Sequence, residues 1–129
     1  MKLITVTQSG NGFDKLEAYL KNAPKNVKRI DFDSYGLRGV EALKAATPRD
    51  TGKTAESWQY RIVRNRNSLT IEWFNTNYAE PTNIPVAILI QHGHATRSGG
   101  YVAGRDFINP ALKRIFDDLT DEIDKEVNK

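Results

Sequence analysis

Residues 57–73 read SWQYRIVRNRNSLTIEW, and the apolar positions recur at every second residue. Trp58, Tyr60 and Ile62 fall on one side of the first half; Leu69, Ile71 and Trp73 fall on one side of the second, and Asn65-Arg66-Asn67 is a polar turn between them. A period of two is that of an extended strand, whose successive side chains point to opposite faces. The stretch therefore predicts a β-hairpin with one buried face of aromatic and aliphatic groups.

Outward from the hairpin the period becomes helical. Between Asp31 and Ala46, the residues Phe32, Tyr35, Gly36, Gly39, Leu43 and Ala46 follow the i, i+3, i+4, i+7 pattern of one helix face. Gly36 and Gly39 each cost about 1 kcal/mol of helix propensity against alanine. Both lie on the apolar face, so another element is expected to approach closely there. On the far side, Ala111, Leu112, Ile115, Phe116, Leu119, Ile123 and Val127 keep one apolar stripe, while Asp117, Asp118, Asp121, Glu122 and Asp124 crowd the other side. Asn109 is expected to cap this helix with Pro110 at its first position.

The remaining segments read less sharply. Residues 2–8 alternate as a first strand, ended by Gly10 and Gly12. Phe13, Leu16 and Leu20 recur at helical spacing and predict a short helix closed by Pro24. Residues 75–85 form a loop rich in Asn, Thr and Pro; Val86 to Gln91 is an apolar run whose periodicity fits strand and helix alike. Residues 93–106, GHATRSGGYVAGRD, carry four glycines and are expected to be exposed and mobile. The sum is a single α+β domain over residues 1–129, a small antiparallel sheet including the aromatic hairpin, packed against a central helix and a long C-terminal helix.

Composition agrees with one globular domain: 129 residues, 39% hydrophobic and 27% charged. The absence of cysteine excludes disulfides and thiolate metal sites. The opening residues are too briefly apolar for a signal-peptide core, and the run Ile84 to Ile90, interrupted by Pro85, is far short of the ~20 residues of a membrane span. A soluble protein without membrane partners is expected. Charge is uneven, +3 over residues 1–52, +3 over 53–105 and −3 over 106–129. Arg61, Arg64 and Arg66 put a basic cluster on the hairpin, sparser than the Lys/Arg stripe with interleaved aromatics of a dedicated nucleic-acid binder. A solvated hairpin is the plain reading.

Residues 47–52, TPRDTG, contain the Asp-Thr-Gly triplet of aspartic proteases. Such a protease needs two carboxylates sharing a proton, and a triplet in a buried loop after an apolar strand. Here the triplet follows a helix end and precedes Lys-Thr-Ala-Glu, a polar setting that fits a turn. In that turn Pro48 stops the helix, Asp50 accepts backbone N–H bonds and Gly52 takes a positive φ. His92 and His94 would need a carboxylate such as Asp106 or Glu80 to complete a zinc site, and the glycine-rich segment matches neither a P-loop nor a dinucleotide fingerprint. No catalytic residue, metal or cofactor is expected, and the chain reads as a non-enzyme.

The order of motifs resembles a known group. A helix ending in ALKAATPRDTG is followed by the aromatic strand ESWQYRI, then Asn-Thr-Asn-Tyr-Ala, an apolar run closing on Ile-Gln-His-Gly-His, a glycine loop and DFINPAL opening the last helix. Over about residues 30–120 this is similar to the small neck and tail-completion (head-tail joining) proteins of long-tailed bacteriophages, including lambda-type minor tail protein Z. Their turn motif falls on Pro48, Asp50, Thr51 and Gly52, and other family-like positions on Gly93, Phe107, Ile108, Pro110 and Ala111. The chain departs from the pattern at Gln91-His92-Gly93-His94, where many relatives have Glu-x-Gly-Thr, and at Gly52-Lys53-Thr54, where Gly-Arg-Leu is usual.

The resemblance implies a structural virion protein, made in the bacterial host cytoplasm and located in the neck of the particle. Its partners would be further copies of itself in a ring, commonly a hexamer, together with head-connector and tail-tube or terminator proteins. Arg61, Arg64 and Arg66 would then face the DNA passage. The alternative is a small adaptor or nucleic-acid-binding module without catalysis.

Overall fold

The computed structural model describes residues 4–9, 15–21, 27–48, 52–66, 68–79, 84–95 and 98–127. Its centre is a four-stranded antiparallel sheet made of β1 (Ile4–Ser9), β2 (Lys15–Lys21), β3 (Trp58–Arg64) and β4 (Ser68–Asn75), in the order β1-β2-β4-β3. The predicted hairpin is the β3–β4 pair, with Tyr60 opposite Trp73 and Ile62 opposite Ile71. Its turn is closed by a bond from the Asn65 N–H to the Ser68 carbonyl.

One sheet face is covered by two helices, α1 (Phe32–Ala46) and, after the short helices α2 (Lys53–Glu56) and α3 (Val86–His92), the long α4 (Ile108–Val127). The helix α1 starts where the Asp31 carboxylate accepts from the Ser34 N–H, and it ends at Thr47, whose N–H and hydroxyl both donate to the Leu43 carbonyl. Phe32, Tyr35, Gly36, Gly39 and Leu43 are its buried face, while Ala46 at the end of the expected stripe is exposed. The two glycines are where the sheet touches. A Cβ at Gly36 would lie 2.3 Å from the Tyr60 ring, and one at Gly39 would lie 2.3 Å from the Trp73 indole nitrogen. That nitrogen donates to the Gly36 carbonyl at 3.0 Å. The missing side chains thus admit an indole against the helix backbone, and this close approach offsets the helix propensity lost.

The other helix lies against α1 and presents Ile108, Leu112, Ile115, Leu119 and Ile123 to the core. Phe116 meets Trp73 edge-on at 5.7 Å between ring centres, a favoured aromatic geometry. Polar contacts close the outer seam between the helices: Tyr35 donates to Glu122, and Arg38 pairs with Asp118 while its guanidinium lies 5.3 Å from the Tyr35 ring. Burial, and then the bond to Glu122, push the Tyr35 phenol up to about 12.

Four expectations are corrected. Residues 15–21 are a strand, where Leu16 and Leu20 suggested a helix. A spacing of four serves both periods, and the register sets Leu16, Ala18 and Leu20 opposite Trp73, Ile71 and Leu69. The cross-strand bonds on both edges of β2 decide for strand. The loop 75–85 contains the small antiparallel pair β5 (Tyr78–Ala79) and β6 (Ile84–Pro85). The glycine-rich segment is exposed over residues 98–106, as expected, but it carries a hairpin of β7 (Gly93–Ala95) and β8 (Tyr101–Ala103). Finally, α4 begins at Ile108, ahead of Asn109. The amide oxygen of Gln91 accepts from the N–H groups of Phe107 and Ile108 at 3.0 Å each, and Asp106 accepts from the Asn109 N–H at 3.3 Å. With these donors satisfied the first turn closes earlier, and Pro110 falls where its missing N–H costs nothing.

Candidate functional site

The sequence-marked positions gather at two junctions. The first lies between helix α1 and the aromatic hairpin. Pro48 follows the Thr47 cap, and the Thr47 hydroxyl also accepts from the Trp58 indole at 2.8 Å, which ties the helix end to the start of β3. Gly52 takes φ +84° and its carbonyl accepts the Glu56 N–H that opens α2. A side chain there would be strained, since few non-glycine residues adopt positive φ. Asp50 and Thr51 lie outside the described residues. The segment is then bound to the end of β4: Asn75 donates to the Thr54 carbonyl at 2.8 Å, Asn77 to the Thr54 hydroxyl at 2.9 Å, and the Thr76 N–H to the Ser57 carbonyl. Asn75 is almost fully buried, so its amide needs this partner.

The second junction joins the end of α3 to the start of α4. Gly93 ends α3 at φ +83°, where a Cβ would come within 2.6 Å of both the Val102 carbonyl and the Tyr101 hydroxyl. At Gly104, just after β8, a Cβ would lie 2.6 Å from the Gln91 carbonyl. The backbones therefore cross at contact distance, which only glycine allows. Gln91 organises the rest: its side-chain N–H donates to Asp106 at 2.7 Å while its oxygen serves Phe107 and Ile108. The bond from Gln91 holds the Asp106 carboxyl below its ordinary range. Phe107 and Ile108 are buried in the core, whereas Pro110 is exposed and Ala111 half-buried.

From this junction β7 and β8 project as an arm. Tyr101 is 68% exposed and Val102 47%, although the Tyr101 hydroxyl donates to the His92 carbonyl at 3.2 Å. His92 is also exposed. Among the described residues no group of three or more His, Cys, Asp and Glu side chains is placed to share a metal ion, and no helix is long and apolar enough to cross a membrane.

The three arginines do not converge. Alternation in β3 sends Arg61 to the sheet face away from α1, where it pairs with the buried Glu72, its Nε at 2.8 Å, and lies over the Phe74 ring. Arg64 and Arg66 are exposed at the tip. The sequence reading missed Gln91, Thr47 and Thr54 as organisers; Gln91 reaches backbone N–H groups sixteen and seventeen residues away, while Thr47 and Thr54 receive the side chains of Trp58, Asn75 and Asn77, partners that no local pattern marks.

No family model, no curated protein and no solved structure matches this chain.

Proposed function

We propose that this protein is a non-enzymatic structural component of a tailed-phage particle or a prophage-derived one, forming a ring at the head-tail interface that completes or joins the tail. The observation that carries the reading is the use made of the motif residues. Pro48 and Gly52 shape the passage from helix to hairpin, and Gly93, Phe107 and Ile108 form the base of an exposed arm. The motifs that resemble the neck proteins thus serve as scaffold, leaving an acidic helix, a basic hairpin tip and an apolar arm at the surface. Opposite charges on different faces of one chain suit head-to-tail contacts that close by rotation.

In the ring, Arg64 and Arg66 would meet passing DNA through salt-sensitive phosphate contacts, while Arg61 is committed to Glu72. The test is electron microscopy of the assembled particle with the chain labelled, together with particles produced without it. Density at the neck, and unjoined heads and tails in its absence, are the expected results. Joined particles without the chain would overturn the reading, and a hairpin tip on the outer rim would remove the DNA contact alone.

A further inference from the structure

Two surface features of this chain fit one another. The first is the β7–β8 arm. Tyr101 and Val102 are its large apolar groups, and the Tyr101 ring is held in place by the bond from its hydroxyl to the His92 carbonyl while most of its surface faces solvent. An aromatic ring already fixed loses little freedom on docking. The base of the arm is equally fixed, through the contact between Gly93 and Gly104, the Arg105 N–H on the Ile90 carbonyl and the Gln91 bonds.

The second feature is an open groove of about 500 Å³ on the outer side of the first turns of α4. Pro110 and the half-buried Phe116 give it an apolar floor, and Asp106, Asn109, Lys113 and Asp117 stand at its rim. Its size is in the ~300–1,000 Å³ range of pockets that accept a few side chains. The floor continues into the core, because Phe116 rests edge-on against Trp73.

We infer that the arm of one copy docks in the α4 groove of the next, with Tyr101 and Val102 against Pro110 and Phe116. Charge selects a second copy as the occupant. Among the described residues from 84 to 105, Arg105 is the one Lys, Arg, Asp or Glu, so the arm brings no carboxylate, whereas the groove's rim carries Asp106 and Asp117 against the single Lys113. The arm of one copy therefore meets a surface of opposite sign on the next. Arm and groove are different patches, so the contact is heterologous and each copy both gives and receives an arm. A ring results if the rotation closes. The inference rests on the ring-forming reading above and specifies which surfaces make the ring.

Absence of native cysteine makes cross-linking a clean test. Single variants Val102→Cys and Lys113→Cys, purified separately and mixed under mild oxidation, should give disulfide-linked dimers far in excess of either variant alone, and the double variant should give a ladder of linked copies. In parallel, native mass spectrometry and sedimentation over a wide concentration range should show self-association of the unaltered chain. Val102→Ser and Tyr101→Ser should each weaken it about tenfold or more, as loss of an anchoring contact does. Unchanged far-UV circular dichroism and melting would show that these variants remain folded; Val102 is the safer of the two because its side chain makes no hydrogen bond. Assembly without the cross-link, and indifferent to both serine variants, would overturn the arm-in-groove contact and leave the ring standing. A chain that stays monomeric and never cross-links would overturn both.

Discussion

The chain builds two hairpins that are alike in hydrogen-bonding pattern and opposite in what holds them. The β3–β4 hairpin has strands of seven and eight residues, and its Trp58, Leu69, Ile71 and Trp73 are buried under two helices. The β7–β8 hairpin has strands of three residues, and every residue of β8 is exposed. Burial of apolar area supports the first. The second has almost none, and is set by glycine backbone contacts and the polar clamp of Gln91 at its base. An isolated two-stranded ribbon is marginal in water, so the arm's persistence depends on that base. One hairpin is core; the other is a surface device on a fixed root.

Substitutions can separate these two modes of support. The largest effect is expected for Trp73→Ala, which removes a fully buried side chain, its contact with Gly39 and its bond to the Gly36 carbonyl. A loss of about 3–5 kcal/mol is expected, measured by chemical denaturation as a lower midpoint of the whole domain. Gly93→Ala should cost about 1–3 kcal/mol through a strained φ and backbone contact. Its signature in hydrogen exchange is faster exchange at residues 93–104 with β3–β4 protection kept relative to global stability. If Gly93→Ala instead unfolds the sheet first, the two hairpins are not independent.

Gln91→Ala should be next, about 1–2 kcal/mol, since it leaves the Phe107 and Ile108 N–H groups without their acceptor at a helix start. Exchange at the first turn of α4 should rise before that of its second half. The smallest effect concerns the seam between α1 and α4. Tyrosine ionises near 10.0 when unfolded and Tyr35 near about 12 in the folded chain. Its contribution is therefore fully present below pH 10 and lost as pH rises through 12. Tyr35→Phe should lower stability by about 1 kcal/mol at neutral pH and reduce the extra fall between pH 10 and 12, both measured by denaturation across pH.

Much of this was legible beforehand because it rests on local pattern. The hairpin 58–75, the helix starting after Asp31 and the stripe of α4 were all marked by periodicity, and the placing of Gly36 and Gly39 on an apolar face anticipated the indole packing. The misreadings occurred where a local pattern was degenerate. Leu16 and Leu20 satisfy both periods; the run that forms α3 was left open between strand and helix, because seven residues are too few for either period to stand out. At α4 the proline and asparagine suggested a cap that Gln91, fifteen or more residues upstream, provides instead with Asp106. Of the candidate positions, Gly52 was recognisable because positive φ leaves a residue signature, Gly93 was marked only through the resemblance, and nothing local separates Arg61, bound to Glu72, from the exposed Arg64 and Arg66.

By itself, then, the sequence determined which segments are amphipathic, with which period and where glycine relieves the backbone, since those are properties of neighbouring residues. Only the tertiary structure decided that residues 15–21 pair beside β4, that Gln91 caps a helix across the junction, and that Tyr101 and Val102 stand out on an arm. The strand pairing joins backbone groups distant in sequence, the cap needs the Gln91 side chain to reach the start of another helix, and the arm stands on that same junction, so each is fixed only once the core has packed.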